Sequence, residues 1–155
     1  MIKIGITGSL SSGKSAVAKL MSRNKYPLFD ADKAVLGLYK KRDFINKIKK
    51  KFNFKNTKSL KRKIKNLIKK DKKKLKELES IIHPLVRKEM KTLMKPRKNI
   101  KISIFEIPLL IESKLTKYFD VVVFVGANKN IRLKRYLHKG GNKKIFTILD
   151  NRQIK

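Results

Sequence analysis

The stretch GITGSLSSGKS, Gly5 to Ser15, places three glycines and five serines or threonines in eleven positions. Such residues are poor helix formers, and they occur where the backbone itself approaches a ligand. The stretch contains the spacing G-x-x-x-x-G-K-S, from Gly8 to Ser15. This spacing is typical of a phosphate-binding loop, the P-loop.

The residue types at the end of this loop suit phosphate chemistry. Gly13 lets the backbone curl so that its N–H groups point at phosphate. Lys14 supplies a positive charge for the β- and γ-phosphates, and the Ser15 hydroxyl is a ligand for Mg²⁺. The β-type run IKIGI precedes the loop and the helical spacing of KSAVAKLMSR follows it. The N-terminus of that helix therefore adds its positive dipole end.

Strands and helices alternate along the rest of the chain. The later β-type segments are YPLFDAD at 26–32, NIKISIFEI at 99–107 and FDVVVFVG at 119–126. Helical spacing is found at 31–41, 129–138 and 143–153. The apolar run from Val121 to Val125 suits a strand that is buried on both faces. This order predicts an α/β fold, a parallel sheet of the P-loop NTPase type flanked by helices.

A lysine-rich helical region interrupts the alternation at about 43–95. Its apolar residues recur at helical spacing. We expect Pro84 to interrupt or kink these helices, because its ring clashes with the preceding turn. We interpret the region as a helical insertion into a single P-loop domain spanning 1–155, since this length suits one domain.

The net charge is +32, from 43 Lys and Arg against 11 Asp and Glu. Such a charge is typical of a nucleic-acid partner, but these basic residues are spread along most of the chain, as a composition bias would produce. We expect weak nonspecific binding to nucleic acid and no specific partner of that class. Cysteine is absent, so disulfides and thiolate metal sites are excluded. No apolar run approaches the ~20 residues of a membrane span, and the start lacks a signal-peptide pattern. We expect a cytoplasmic protein.

Two carboxylates, Asp30 and Asp32, end the second β-type segment. We expect this strand to lie beside the P-loop strand, since ligands bind at the carboxyl ends of such parallel strands. A carboxylate there can accept the proton of an acceptor hydroxyl while the loop holds the donor phosphate. Capping of the following helix is the alternative role for either aspartate.

Several segments occur together in a characteristic order: GITGSLSSGKSAVAKLM, FDADKAV, LESIIHPLVRKEM, IPLLIES and FDVVVFV. In this order and spacing, across essentially the whole chain, the sequence resembles the dephospho-CoA kinase family. The P-loop is shared by many families, whereas LESIIHPLV and IPLLIE together are much more specific. Shikimate kinases also have D-x-D after the second strand but lack a counterpart of IIHPLV.

The resemblance implies a reaction and a set of roles. The family phosphorylates the ribose 3′-hydroxyl of dephospho-CoA with ATP and Mg²⁺. The implied ATP-binding residues are Gly8, Ser11, Ser12, Gly13, Lys14, Ser15 and Ala16. Asp32 is the implied general base. Asp30 either supports the metal site with Ser15 or holds Asp32 in place.

The resemblance also implies an acceptor site and a lid. The implied substrate-binding residues are Asp32, His83, Pro108, Leu109, Leu110 and Glu112, although His83 beside Pro84 is also explained as a structural bend. The lid is expected at about 132–144. Arg135 and Lys139 are its implied catalytic residues, with Lys14 from the loop. Lys139 stands where the family usually has an arginine, and lysine cannot make the planar bidentate contact of arginine. Either the lid stabilises charge less, or Arg132 or Arg135 supplies it.

This sequence departs from the family in several places. Ser9 and Ser11 stand at family glycines and Ala16 at a frequent threonine. The sequence ends before the family's closing strand and helix, so we expect an incomplete chain in which FDVVVFV has an open edge. Three other functions remain open: a kinase with a shikimate-like acceptor, a truncated inactive homologue, and a basic nucleic-acid-binding protein.

Overall fold

The computed structural model describes residues 1–56, 58–71, 73–151 and 153, without the side chains of Lys69 and Lys70. Two compact units are present: Met1–Ala31 together with Leu93–Lys155, and Asp32–Thr92. The first unit contains the P-loop and the second contains the lysine-rich helices. The second unit overlaps the insertion expected at about 43–95, and the single-domain organisation stays a prediction.

The first unit is built on a sheet of four parallel strands. The strands are β1 Ile2–Gly8, β2 Leu28–Asp30, β3 Ile102–Glu106 and β4 Val121–Val125. Their order is β2-β3-β1-β4, with every pair parallel. The helices are α1 Lys14–Ser22, α2 Ala31–Leu38, α3 Arg42–Lys51, α4 Leu60–Lys70, α5 Lys73–Leu93, α6 Lys129–His138 and α7 Lys143–Asp150. The predicted fold class is confirmed.

Strand β3 lies between β1 and β2, so the expectation that the second strand neighbours the P-loop strand is wrong. In register, Glu106 of β3 pairs with Ile6 on one side and with Asp30 on the other. The physical reason lies in the sequence ISIFE, of which residues 103–106 are buried. Such a strand needs a partner on each side, whereas the three residues of β2 suit an edge.

Strand β4 is more exposed than its sequence indicates. Val121 is 48% exposed and Phe124 is 46% exposed, so the predicted burial of both faces is wrong. The strand pairs with β1 at one edge of the sheet. An unbroken apolar run therefore does not distinguish a central strand from this edge strand.

Each unit has its own apolar core. In the first unit, Ile6, Ala18 and Ile104 are buried together, and the ring of Phe105 packs against those of Phe29 and Phe119 at centroid distances of 6.0 and 5.5 Å. In the second unit the buried cluster comprises Leu38, Phe44, Ile48, Leu60, Ile64, Leu78, Ile81 and Ile82.

Helix α5 continues through Pro84, so the expected interruption is not observed. Pro84 lies on the exposed side of the helix, while Leu78, Ile81 and Ile82 on the other side are buried. This apolar packing offsets the hydrogen bond that proline removes. In the described part of the chain, no helix has the length and apolar character needed to cross a membrane.

Candidate active site

The P-loop joins β1 to α1 through three residues with positive φ. These are Gly8 at 149°, Ser11 at 59° and Gly13 at 106°. At Gly8 a side chain is impossible without rearrangement, because a Cβ atom would lie 2.1 Å from the Val125 carbonyl oxygen. The close approach of the loop to β4 therefore requires glycine at this position.

Helix α1 begins directly behind the loop. The Gly13 carbonyl accepts hydrogen bonds from Ala16 N–H at 2.9 Å and Val17 N–H at 3.1 Å. Earlier N–H groups of a helix have no carbonyl partner one turn back, and the positive dipole end favours an anion there. The Ser12 hydroxyl is buried without a hydrogen-bond partner among the described residues. The loop thus presents a donor that a phosphate oxygen can satisfy.

An open cavity of about 880 Å³ lies over this loop. It is lined by residues 10–17, Arg135, Tyr136, Lys139, Gly140 and Gly141. Its size is within the usual range for small-ligand sites. The structure therefore brings the implied ATP-binding residues from Ser11 to Ala16 together with the two lid residues, Arg135 and Lys139. Gly8 does not line the cavity, and it allows the close approach of the loop to β4.

Glu106 is a site residue that the sequence reasoning missed. The Ser15 hydroxyl donates a hydrogen bond of 2.5 Å to Glu106 Oε1, and Glu106 is only 4% exposed. A carboxylate acceptor makes this bond stronger than one between neutral groups. The sequence did contain one sign of this role: Glu106 is a lone acidic residue at the end of the β-type run ISIFE. Because β3 neighbours β1, its last residue, Glu106, reaches the Ser15 hydroxyl of the loop.

The two aspartates of the second strand occupy different elements. Asp30 is the last residue of β2, is half-buried, and pairs in register with Glu106. Asp32 is exposed in the first turn of α2 and is the first residue of the second unit. Their roles at the metal and as the base stay predictions.

The implied acceptor residues come from both units. His83 is exposed on α5 of the second unit. In the first unit, the Pro108 carbonyl accepts a hydrogen bond of 3.2 Å from the Thr7 hydroxyl. Leu110 is fully buried, with Cδ1 2.7 Å from where a Cβ of Gly5 would lie, so it packs in the core.

The neighbouring side chains of that loop are more accessible. Leu109 is 39% exposed, and Glu112 is half-buried. A common acceptor site formed by these residues stays a prediction.

The three basic residues expected around the lid have separate environments. Arg132 is 8% exposed and forms an ion pair with the buried Asp150. Arg135 Nη1 donates to the Ser12 carbonyl at 2.9 Å. Lys139 is exposed at the C-terminal end of α6. Arg132 does not line the cavity, and the cations that line it from this segment are Arg135 and Lys139.

In the ranges that the structure describes, no three His, Cys, Asp or Glu side chains form a group that could hold a metal ion. Mg²⁺ usually binds through one or two carboxylates together with substrate phosphates and water, and its site at Ser15 and Asp30 stays a prediction.

A family model described as dephospho-CoA kinase matches residues 2–150. The chain belongs to the dephospho-CoA kinase family. It is 36% identical to a dephospho-CoA kinase of Bartonella henselae over 156 aligned positions, which cover 97% of this chain and 80% of that protein. It is 34% identical to one of Fusobacterium nucleatum, covering 88% of this chain and 72% of that protein.

A crystal structure of a Thermus thermophilus protein has the same fold. It superposes with a TM-score of 0.80 at 28% identity, over 99% of this chain and 80% of the other. The family resemblance of the sequence is thus confirmed. This kinase is a transferase that uses ATP, and its family phosphorylates dephospho-CoA in coenzyme A biosynthesis.

Proposed function

We propose that this kinase transfers the γ-phosphoryl group of ATP to the ribose 3′-hydroxyl of dephospho-CoA, giving coenzyme A and ADP. The observation that carries the proposal is the cavity over the P-loop, which Arg135 and Lys139 also line. Family membership supplies the acceptor. Positioning and charge stabilisation are the main tasks of a protein in phosphoryl transfer, and this cavity has groups for both.

The donor phosphates bind along the loop. Its N–H groups and the Ser12 hydroxyl donate to phosphate oxygens, and Lys14 neutralises the β- and γ-phosphates. Ser15 and Asp30 are the residues that hold Mg²⁺. Glu106 keeps the Ser15 hydroxyl oriented through their 2.5 Å hydrogen bond. Oxygen donors are the ligands that Mg²⁺ prefers, and the ion supplies neutralisation of the charge on the transferring phosphoryl group.

Asp32 is the base that activates the acceptor hydroxyl. It accepts the 3′-hydroxyl proton. The ribose oxygen forms a bond to the γ-phosphorus, and the bond between that phosphorus and the oxygen that bridges the β- and γ-phosphates breaks. The leaving electron pair stays on ADP. Arg135 and Lys139 stabilise the charge on the equatorial oxygens. The sequence position of Asp32, two residues after the last residue of β2, supports this assignment.

The remaining assignments concern the acceptor and the lid. His83, Pro108, Leu109, Leu110 and Glu112 shape the dephospho-CoA site, Leu110 from within the core. The helical insertion at about 43–95 contributes to this site, and the lid at about 132–144 closes over the phosphates within one kinase domain. The reaction takes place in the cytoplasm.

The test is direct detection of the product. The chain is incubated with ATP, Mg²⁺ and dephospho-CoA, and coenzyme A is followed by mass spectrometry, with Lys14→Ala as the matched blank. Fragmentation of the product locates the new phosphate on the ribose. Coenzyme A from the wild type alone supports the proposal. Phosphorylation of shikimate but not of dephospho-CoA would contradict it.

A further inference from the structure

Two side chains that are distant in sequence contact the tip of the P-loop: Arg132 of α6 and Gln153. The Leu10 carbonyl accepts a hydrogen bond from Arg132 Nη1 at 3.4 Å, and the Leu10 N–H donates to Gln153 Oε1 at 2.5 Å. The peptide groups on both sides of Leu10 are therefore oriented by side chains that are distant in sequence. None of these residues was implied by the P-loop motif.

Arg132 is itself anchored at several other points. Its Nη1 also donates to Asp150 Oδ1, and its Nε donates to the Ala127 carbonyl at 2.9 Å. Its Cζ lies 5.7 Å from the ring centroid of the buried Phe146. The guanidinium group is planar and rigid. These contacts therefore fix the direction of the Nη1 N–H group that donates to the Leu10 carbonyl.

We propose that Arg132 is a positioning residue that orients the Leu10–Ser11 peptide group, so that the Ser11 N–H is presented to an ATP phosphate. In a trans peptide the carbonyl and the following N–H point in opposite directions. Holding the Leu10 carbonyl toward Arg132 therefore turns the Ser11 N–H away from it. Ser11 lines the cavity and has a φ of 59°, a conformation found in anion-binding backbone nests.

A purely structural role is the alternative. The buried pair of Arg132 and Asp150 also joins α6 to α7, and removal of one partner leaves an uncompensated buried charge. A single substitution would then weaken folding and catalysis together. Replacement of both partners by apolar residues separates the two roles, because such double replacements are often neutral or stabilising.

The decisive variant is accordingly Arg132→Met combined with Asp150→Leu. We expect a melting temperature close to that of the wild type, with an ATP dissociation constant by calorimetry raised about tenfold, as loss of one oriented charge-assisted contact predicts. The KM for dephospho-CoA at saturating ATP should stay within about twofold of the wild-type value. The variant loses only a contact to ATP, and saturating ATP compensates for the weaker binding. Arg97→Lys, at an exposed arginine of the same unit, is the control and should change neither constant.

Arg132→Lys keeps a positive charge beside Asp150. If the double variant does not fold, this variant tests the positioning role of Arg132. Lysine cannot hold the carboxylate and the Leu10 carbonyl in one planar arrangement, so the same rise in the ATP constant is expected. Wild-type ATP affinity in a folded variant would overturn the inference. The inference rests on the proposed function of the loop, and the two fail differently: a wild type that does not bind ATP contradicts the proposed function, whereas equal binding by wild type and variants contradicts only the role of Arg132.

Discussion

Glu106 Oε1 lies 2.5 Å from Ser15 Oγ, and the carboxylate is almost completely buried. The end of β3 thus orients the hydroxyl that the P-loop offers to Mg²⁺. We expect Glu106→Gln to lower kcat and the apparent Mg²⁺ affinity by about 10–100-fold. Loss of a residue that hydrogen-bonds a metal ligand typically has an effect of this size. The measurement is the initial rate as a function of Mg²⁺ concentration at fixed ATP. Glu89→Gln, which removes an exposed partner of Lys41, is the control. A Mg²⁺ dependence equal to that of the wild type would contradict the role of Glu106.

Asp32→Asn tests the proposed base. Because general base catalysis contributes about 10²–10⁴-fold, kcat should fall by that factor while ATP binding is retained. Asp43 also lies in the first turn of a helix of the second unit, so Asp43→Asn is a matched control for helix stabilisation. Single-turnover rates at saturating ATP give the comparison. A normal rate for the Asp32 variant would remove it from the mechanism.

Gly8→Ala should destabilise the protein, because the new Cβ meets the Val125 carbonyl and φ is 149°. The cost is expected to be about 1–3 kcal/mol, as for other overpacked sites, which corresponds to a fall in melting temperature of about 2–12 °C at this chain length. Gly37 lies within α2, and nothing is within 4 Å of its added Cβ. Gly37→Ala should therefore stabilise by about 0.5–1 kcal/mol. Thermal unfolding followed by circular dichroism measures both, and equal effects would contradict the steric argument.

Asp120 gives a pH-dependent contribution to stability. A hydrogen bond of 2.7 Å from Lys3 N–H, aided by the Lys3 ammonium, lowers the pKa of the Asp120 carboxyl below its ordinary value of 3.8. A lowered pKa contributes stability that is present above the unfolded value and is lost as pH falls through the folded value. The melting-temperature difference between wild type and Asp120→Asn should therefore be constant above about pH 5 and shrink below pH 4. The pair is exposed, so added salt should reduce the difference. A difference independent of pH would show that the charge contributes nothing.

The P-loop and the helices α6 and α7 could be predicted because their determinants are local. The helix expected at 129–138 has those bounds in the structure, and Asn128 Oδ1 caps its start by accepting a hydrogen bond from Asn130 N–H. Similarly, Asn142 caps α7. Caps and glycine turns are encoded within a few residues.

The strand order and the full site could not be predicted in the same way. Only the assembled sheet shows that β3 separates β1 from β2, and therefore that Glu106 reaches Ser15. The exposure of Val121 and Phe124 likewise depends on the edge position of β4. Arg132 looked like a charge for the lid because its partner, Asp150, is 18 residues away in sequence. Each of these depends on nonlocal contacts, which the local pattern of apolar and charged residues does not specify.

The contacts at the tip of the P-loop also have a consequence for synthesis on the ribosome. Leu10 is translated 122 residues before Arg132 and 143 residues before Gln153. At 5–20 residues per second, the delay to Gln153 is roughly 7 to 30 s. During that interval the nascent loop lacks the side chains that orient its peptide groups. The phosphate-binding motif thus leaves the ribosome well before the residues that give it these contacts.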